Sequence, residues 1–427
     1  MSERSKETVL KTVEGQPSAS SNLALSAEYR QIVGQWSYGL PVFVYCVAKA
    51  DVLERWLWNW RWKSTLEYAE TEMMGIERLM ATTLEQRAIG ALAGLAIGDA
   101  LGMPTQSMSP RDIAHYYGGP ITGLVDAVPE QPIAPGMKAG AVTDDTEQAF
   151  LLAERLIADR GDLDNNAYAR DLLAWEDAMR AKGSLDLLGP STKAALKALA
   201  EGVSPELTGR FGTTNGGAMR ATPVGIAFAP GALLAQEARR SCYVTHNTTQ
   251  GIEGTMLVAA AVSYALEGDT NPLHSAIAFV NAHPAQGYWS AKASVLVRTE
   301  RLIDWLESKG QHVDDEQFAH MLRYEIGTSV EANESVPCAF AIATRFAADP
   351  MRALCFAASL GGDTDTMAAM AGAMLGAQYG SDAFDQAIAS QVLRQLQQDN
   401  GLDPAPVAQA LCALRAAHAG SASQNSK

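Results

Sequence analysis

The chain has 427 residues, is 47% hydrophobic and carries a formal charge of −15 at neutral pH. That length holds one large domain or two ordinary ones. The negative charge excludes a general nucleic-acid-binding face, and an anionic ligand would have to be met by metal ions, helix N-termini or isolated arginines.

The N-terminus, MSERSKETVLKTVEGQPSASSN, lacks the apolar stretch of a signal peptide. No run of about 18 apolar residues is seen, so a cytoplasmic protein without membrane contact is expected. Cys46, Cys242, Cys338, Cys355 and Cys412 are odd in number and lack CxxC spacing. They are read as reduced core residues, neither zinc ligands nor a disulfide framework.

Residues 1–82 form an extension, in which a polar lead precedes five of the eight tryptophans, Trp36, Trp56, Trp58, Trp60 and Trp62. The alternation in ERWLWNWRWK would place four of these on one face of a strand. Two readings stand: a subdomain packed on the rest of the chain, or a partner-binding arm, since Trp and Arg are enriched in interface hot spots.

Residues 83–420 read as one domain of amphipathic helices, with apolar residues mainly three and four apart and little strand-like alternation. In TLEQRAIGALAGLAIGDALG the spacing of Gly90, Gly94 and Gly98 would let a second helix approach closely. Six prolines between residues 102 and 143 predict one long loop, and loops of that length are usually functional. Residues 421–427, polar in composition, are expected to be a disordered tail.

Two oxygen-rich clusters precede helical patterns: AVTDDTEQAFLLAERLI at 141–157 and GGDTDTMAAMAGAMLG at 361–376. Helix capping accounts for one Asp or Thr in each, at roughly 1 kcal/mol. Several carboxylates gathered together repel unless cations lie between them, and hard oxygen donors select Mg²⁺, Mn²⁺ or Ca²⁺. Spacing alone leaves two separate caps and one shared metal site both standing.

These clusters, with GLAIGDALGMP, TNGGAMRATPVG and ESVPCAFAI in the same order, resemble the ADP-ribosylglycohydrolases over roughly residues 84–418. The resemblance implies an all-α domain with a binuclear metal cleft, two divalent cations (Mg²⁺ or Mn²⁺), and Thr143, Asp144, Asp145, Asp363, Asp365 and Thr366 as ligands. It implies cleavage of the bond between ADP-ribose and a protein side chain, with Asp144 or Asp363 as the base. Asp99, Asn215, Gly216, Gly217, Arg220 and His246 would then serve the substrate. For Asp99 a capping role, for Arg220 a structural ion pair and for His246 a core position are the competing readings.

Two departures from the family pattern matter. His246 stands where many relatives have a His-Pro-His segment, of which only the first histidine is matched. Gln106 stands where many relatives carry a glutamate that the serine-directed branch needs, so arginine-linked substrates are favoured. The Trp-rich extension resembles in layout immunity-type members that counter ADP-ribosyltransferase toxins, which makes such a toxin the expected partner of residues 1–82. A small-molecule ADP-ribosyl or ribosyl substrate, with a purely structural extension, is the alternative.

Overall fold

The computed structural model describes residues 82–182, 188–309 and 312–424. The tryptophan-bearing extension lies outside the described residues, apart from Thr82.

The helices are α1 (Leu84–Gly102), α2 (Pro110–Tyr117), α3 (Asp144–Ala158), α4 (Asn165–Lys182), α5 (Pro190–Ala200), α6 (Pro205–Thr208), α7 (Gly216–Met219), α8 (Thr222–Ala227) and α9 (Ala232–His246). They continue with α10 (Thr249–Leu266), α11 (Pro272–Ala282), α12 (Val295–Ser308), α13 (Asp315–His320), α14 (Ala332–Arg345), α15 (Pro350–Ser359), α16 (Thr364–Tyr379), α17 (Gln386–Gln395) and α18 (Pro404–Gln424). Among the described residues the only extended pairings are isolated bridges, Thr214 to Glu331 and Thr248 to Tyr288. The expected all-α fold is therefore what the described residues form.

The centre is a pair of helices. From Arg87 onward nearly every residue of α1 is buried, and α16 is buried from Thr364 to Ala377, so neither presents the polar stripe of a surface helix. A Cβ added at Gly90 would lie 2.4 Å from the carbonyl oxygen of Gly376, one at Gly94 2.1 Å from that of Gly372, and one at Gly98 2.1 Å from that of Ala368. The numbers fall along one helix as they rise along the other, so the pair is antiparallel and its backbones meet every fourth residue. The glycine spacing predicted this approach.

At the end of the seam a Cβ on Gly102 would lie 2.4 Å from Asp365 Cα. The C-terminus of α1 thus meets the N-terminus of α16, where the second oxygen cluster begins. By length, and by a mean hydropathy of 1.3 over its most apolar 18 residues, Leu84–Thr105 could cross a membrane, but 94% of those residues are buried inside the protein, as in a central core helix.

Two expectations change. The 102–143 segment is not loop throughout: it contains a 3-10 turn, Met103–Thr105, and α2. Ser109 and Asp112 form a reciprocal capping box at the start of α2, with Pro110 in its first turn. Buried Gln131 ties the irregular part down, donating to the carbonyls of Met103 and Gln106 at 3.2 Å. At the other end, α18 continues to Gln424, past the expected start of the tail at 421. Residues 425–427 lie outside the described residues.

A buried carboxylate cluster as candidate active site

Two helix N-termini carry the cluster. Thr143 caps α3, with Asp144 and Asp145 in its first turn; Asp363 stands at the N-cap position of α16 without a side-chain capping hydrogen bond, with Asp365 and Thr366 following. Negative charge there is favoured by the helix dipole. The turn into Asp363 requires glycine: Gly361 and Gly362 have φ of +85° and +83°. It is clamped by Ser107 N–H donating to Gly362 O at 2.7 Å and Asp363 N–H donating to Thr328 O at 2.7 Å.

The two clusters, 221 residues apart, meet where the Thr366 hydroxyl donates to Asp145 Oδ2 at 3.2 Å. All six residues assigned as ligands are nearly sealed. Asp144 and Asp363 keep 4% and 3% exposure, whereas Asp145 and Asp365 keep 1% and 0%. A cavity of about 570 Å³ lies elsewhere, between α9, α10 and residues 283–286, and shares no residue with the cluster.

Burial pushes every carboxyl in the cluster upward. For Asp363 it outweighs a hydrogen bond from Asn215 and raises the group to about 6. Asp144, Asp145 and Asp365 go well above the usual carboxylate range, by burial first and then by mutual repulsion: Asp365 on Asp145, Asp363 on Asp365, Asp99 on Asp144. Asp145 Oδ1 and both oxygens of Asp365 are buried without a hydrogen-bond partner. Buried polar atoms are normally satisfied, so three such carboxylate oxygens in one cluster mark a ligand site.

The donors are all hard oxygens, carboxylates and threonine hydroxyls, a set that suits Mg²⁺ or Mn²⁺ and not a soft metal. Among the described residues no three His, Cys, Asp or Glu side chains converge at ligating distance, so the residue types fit such ions while the closed coordination shell is not displayed.

The residues expected to serve the substrate face inward. Asp99, fully buried, accepts from the backbone and hydroxyl of Thr143 at 2.9 and 2.8 Å and of Thr146 at 3.1 and 2.6 Å. It anchors the start of α3 from 44 residues away, the capping role that competed with substrate contact. Burial holds it at about 6 despite these bonds. Asn215 donates to Asp363 Oδ2 at 2.5 Å and to Ser335 Oγ at 2.9 Å, so it steadies an aspartate.

Space beside the glycines is filled by protein. A Cβ at Gly216 would lie 2.6 Å from the His246 ring, and one at Gly217 2.5 Å from Thr255 Oγ1. Arg220 is fully buried and makes no ion pair among the described residues; it donates to Gln148 Oε1 at 2.9 Å and to Thr245 Oγ1. His246 is a core residue, bonded through Nδ1 to Thr245 at 2.7 Å and through Nε2 to Thr214 at 2.9 Å. Burial, with Arg220 nearby, holds it neutral, well below the usual histidine range. Gln106 is 8% exposed with its amide oxygen unbonded, one residue from the clamp on Gly362.

Gln148, Thr146 and Thr245 were not singled out from the sequence. Gln148 was findable, because it follows Asp144 by four residues on one helix face.

Fold and site together define an all-helical protein built around a hard-oxygen carboxylate centre. The chain belongs to the ADP-ribosylglycohydrolase family, whose model matches residues 80–420. Members of this family are ADP-ribosyl hydrolases of the glycosidase type and are in general metal-dependent.

The uncharacterized protein YegU of Escherichia coli K12 is 31% identical over 72% of this chain and 92% of its own length. Human ADP-ribosylhydrolase ARH3 is 28% identical over 69% of this chain and 85% of its own. The ADP-ribosylarginine hydrolase Tri1 of Pseudomonas putida GB-1 is 29% identical over 69% and 71%. A solved chain described as an ADP-ribosylglycohydrolase-related protein complex shares the fold, with a TM-score of 0.56 at 24% identity, covering 78% of this chain and 98% of that one.

Proposed function

We propose that the protein removes ADP-ribose from modified arginine side chains with the help of two divalent cations, Mg²⁺ or Mn²⁺, held by Thr143, Asp144, Asp145, Asp363, Asp365 and Thr366. One observation carries this reading: two distant oxygen clusters meet with three buried carboxylate oxygens left without a partner. Arginine is favoured by the likeness to Tri1 and by the neutral Gln106, which supplies no carboxylate beside the Gly362 turn.

When bound, the cations would supply Lewis acidity and hold sugar hydroxyls. The chain's own part is proton transfer: Asp144 or Asp363, the least buried of the four ligand aspartates, accepts the proton of the water that attacks C1 of the ribose. As the C1–N bond breaks, its electron pair goes to the guanidine nitrogen, which takes up the proton that the aspartate received from water.

The purified full chain should release ADP-ribose from arginine-modified protein, stop with chelator and recover with Mg²⁺ or Mn²⁺. Release from serine-modified protein alone, or insensitivity to chelator, would sink the reading. Release confined to a free ADP-ribosyl compound would favour the small-molecule alternative.

We further assign residues 1–82 to binding an ADP-ribosyltransferase toxin, on the strength of the Trp56, Trp58, Trp60, Trp62 alternation with Arg61 among them. This gives the protein an immunity role in the cytoplasm, where reduced cysteines are at home. A chain lacking residues 1–82 should keep hydrolysis and lose capture of the toxin. Equal capture by both chains would rule the arm out.

A further inference from the structure

A buried line of side chains joins the two halves of the cluster from behind. Gln148, fully buried, donates from Nε2 to Asp144 Oδ2 at 3.1 Å, and its Oε1 accepts from Arg220 Nη1 at 2.9 Å. The other arm of Arg220 reaches Thr245 Oγ1; from there the line runs through His246 to Thr214, whose neighbour Asn215 holds Asp363.

Arg220 is the decisive member. Its guanidinium is 0% exposed; among the described residues it pairs with no carboxylate and its Nε has no partner, and an aromatic face, that of Tyr168, lies 5.9 Å away. A buried cation of this kind is costly unless negative charge lies near. One amide group, that of Gln148, links it to the carboxylate of Asp144.

A direct Arg220–Asp144 pair would occupy the carboxylate bidentately and compete with a cation. The intervening Gln148 avoids this: its carbonyl faces the guanidinium, and its NH₂ group takes one oxygen of Asp144.

Resting on the metal-dependent reading above, we propose that Arg220 and Gln148 are positioning residues: Arg220 orients the Gln148 amide, which holds Asp144 in register for a divalent cation. His246 and Thr214 extend the same brace to the segment that steadies Asp363.

The test uses the full chain and Mn²⁺ alone, with free Mn²⁺ followed by electron paramagnetic resonance. Gln148→Met keeps the side-chain length and removes both polar contacts. It should weaken Mn²⁺ binding about 10–100-fold, the usual effect of losing a partner that orients a ligand. Arg220→Lys, which keeps the charge with fewer donors, should fall between that variant and wild type. Thr245→Val provides a third point on the line if Arg220→Lys folds poorly, and should weaken binding less than Gln148→Met.

A purely structural network would lower the melting temperature of folded Gln148→Met while leaving its Mn²⁺ affinity at the wild-type value, and that result overturns the proposal. Failure of the wild type to bind Mn²⁺ would overturn the metal reading and the proposal with it.

Discussion

Replacing Asp145 or Asp363 by alanine should reduce ADP-ribose release by roughly 10²–10⁴-fold, the range expected when a positioned proton acceptor or its supporting charge is lost. The loss should not come from unfolding. Asp145 and Asp365 are both buried, repel one another and carry unbonded oxygens, so in chelated protein they oppose folding at neutral pH.

Asp365→Asn should therefore be inactive yet melt higher than wild type in chelator, by roughly 2–4 °C for each kcal/mol of repulsion relieved. The sign follows from the direction of the shift. The folded pKa of Asp365 lies well above its ordinary value, so its stability contribution is complete only below about pH 4 and is lost as the pH rises through the folded pKa.

The gap in melting temperature between Asp365→Asn and wild type in chelator should thus widen from pH 5 towards pH 8. Added Mg²⁺ should raise the wild type and close the gap. Calorimetry across that pH range decides it: a gap that shrinks as pH rises, or Mg²⁺ that stabilises both proteins equally, would contradict a cation site at these carboxylates.

Much of the fold was legible because it is periodic. Gly90, Gly94 and Gly98 foretold a close helix pair, and the clusters at 141–157 and 361–376 announced two helix N-termini. What sequence could not supply was direction. Gly216 and Gly217 signal close approach, but not to what, and the neighbours are His246 and Thr255. Arg220, His246 and Asn215 are residue types that suit a diphosphate or a sugar, yet each spends its hydrogen bonds on protein. Side-chain direction depends on tertiary partners more than 20 residues away in sequence, which no local pattern encodes. The loop assigned to 102–143 hid a short helix whose capping box, Ser109 with Asp112, was readable.

The second large effect lies in the α1–α16 seam. Glycine to alanine inside a helix normally stabilises by about 0.5–1 kcal/mol, because it restricts the unfolded chain. At Gly94 the sign should reverse: the new Cβ would sit 2.1 Å from the Gly372 carbonyl oxygen and 2.8 Å from the Phe384 ring. The facing atoms include backbone, which cannot rotate away, so the helices must part.

Gly94→Ala should cost about 1–3 kcal/mol and Gly94→Val about 3 kcal/mol or beyond, read from urea denaturation. Gly123→Ala, whose nearest neighbour is Ile388 Cδ1 at 4.0 Å, serves as control and should stay within about 0.5 kcal/mol of wild type. A neutral or stabilising Gly94→Ala would mean that the helices do not meet there.

The consequence for the site is distinct from that of the Gln148 brace. Because the seam ends at Gly102 against Asp365, parting the helices moves Asp363, Asp365 and Thr366 as one unit away from Thr143, Asp144 and Asp145. Seam variants should accordingly lose stability and Mn²⁺ affinity together, whereas Gln148→Met loses affinity beyond any change in stability.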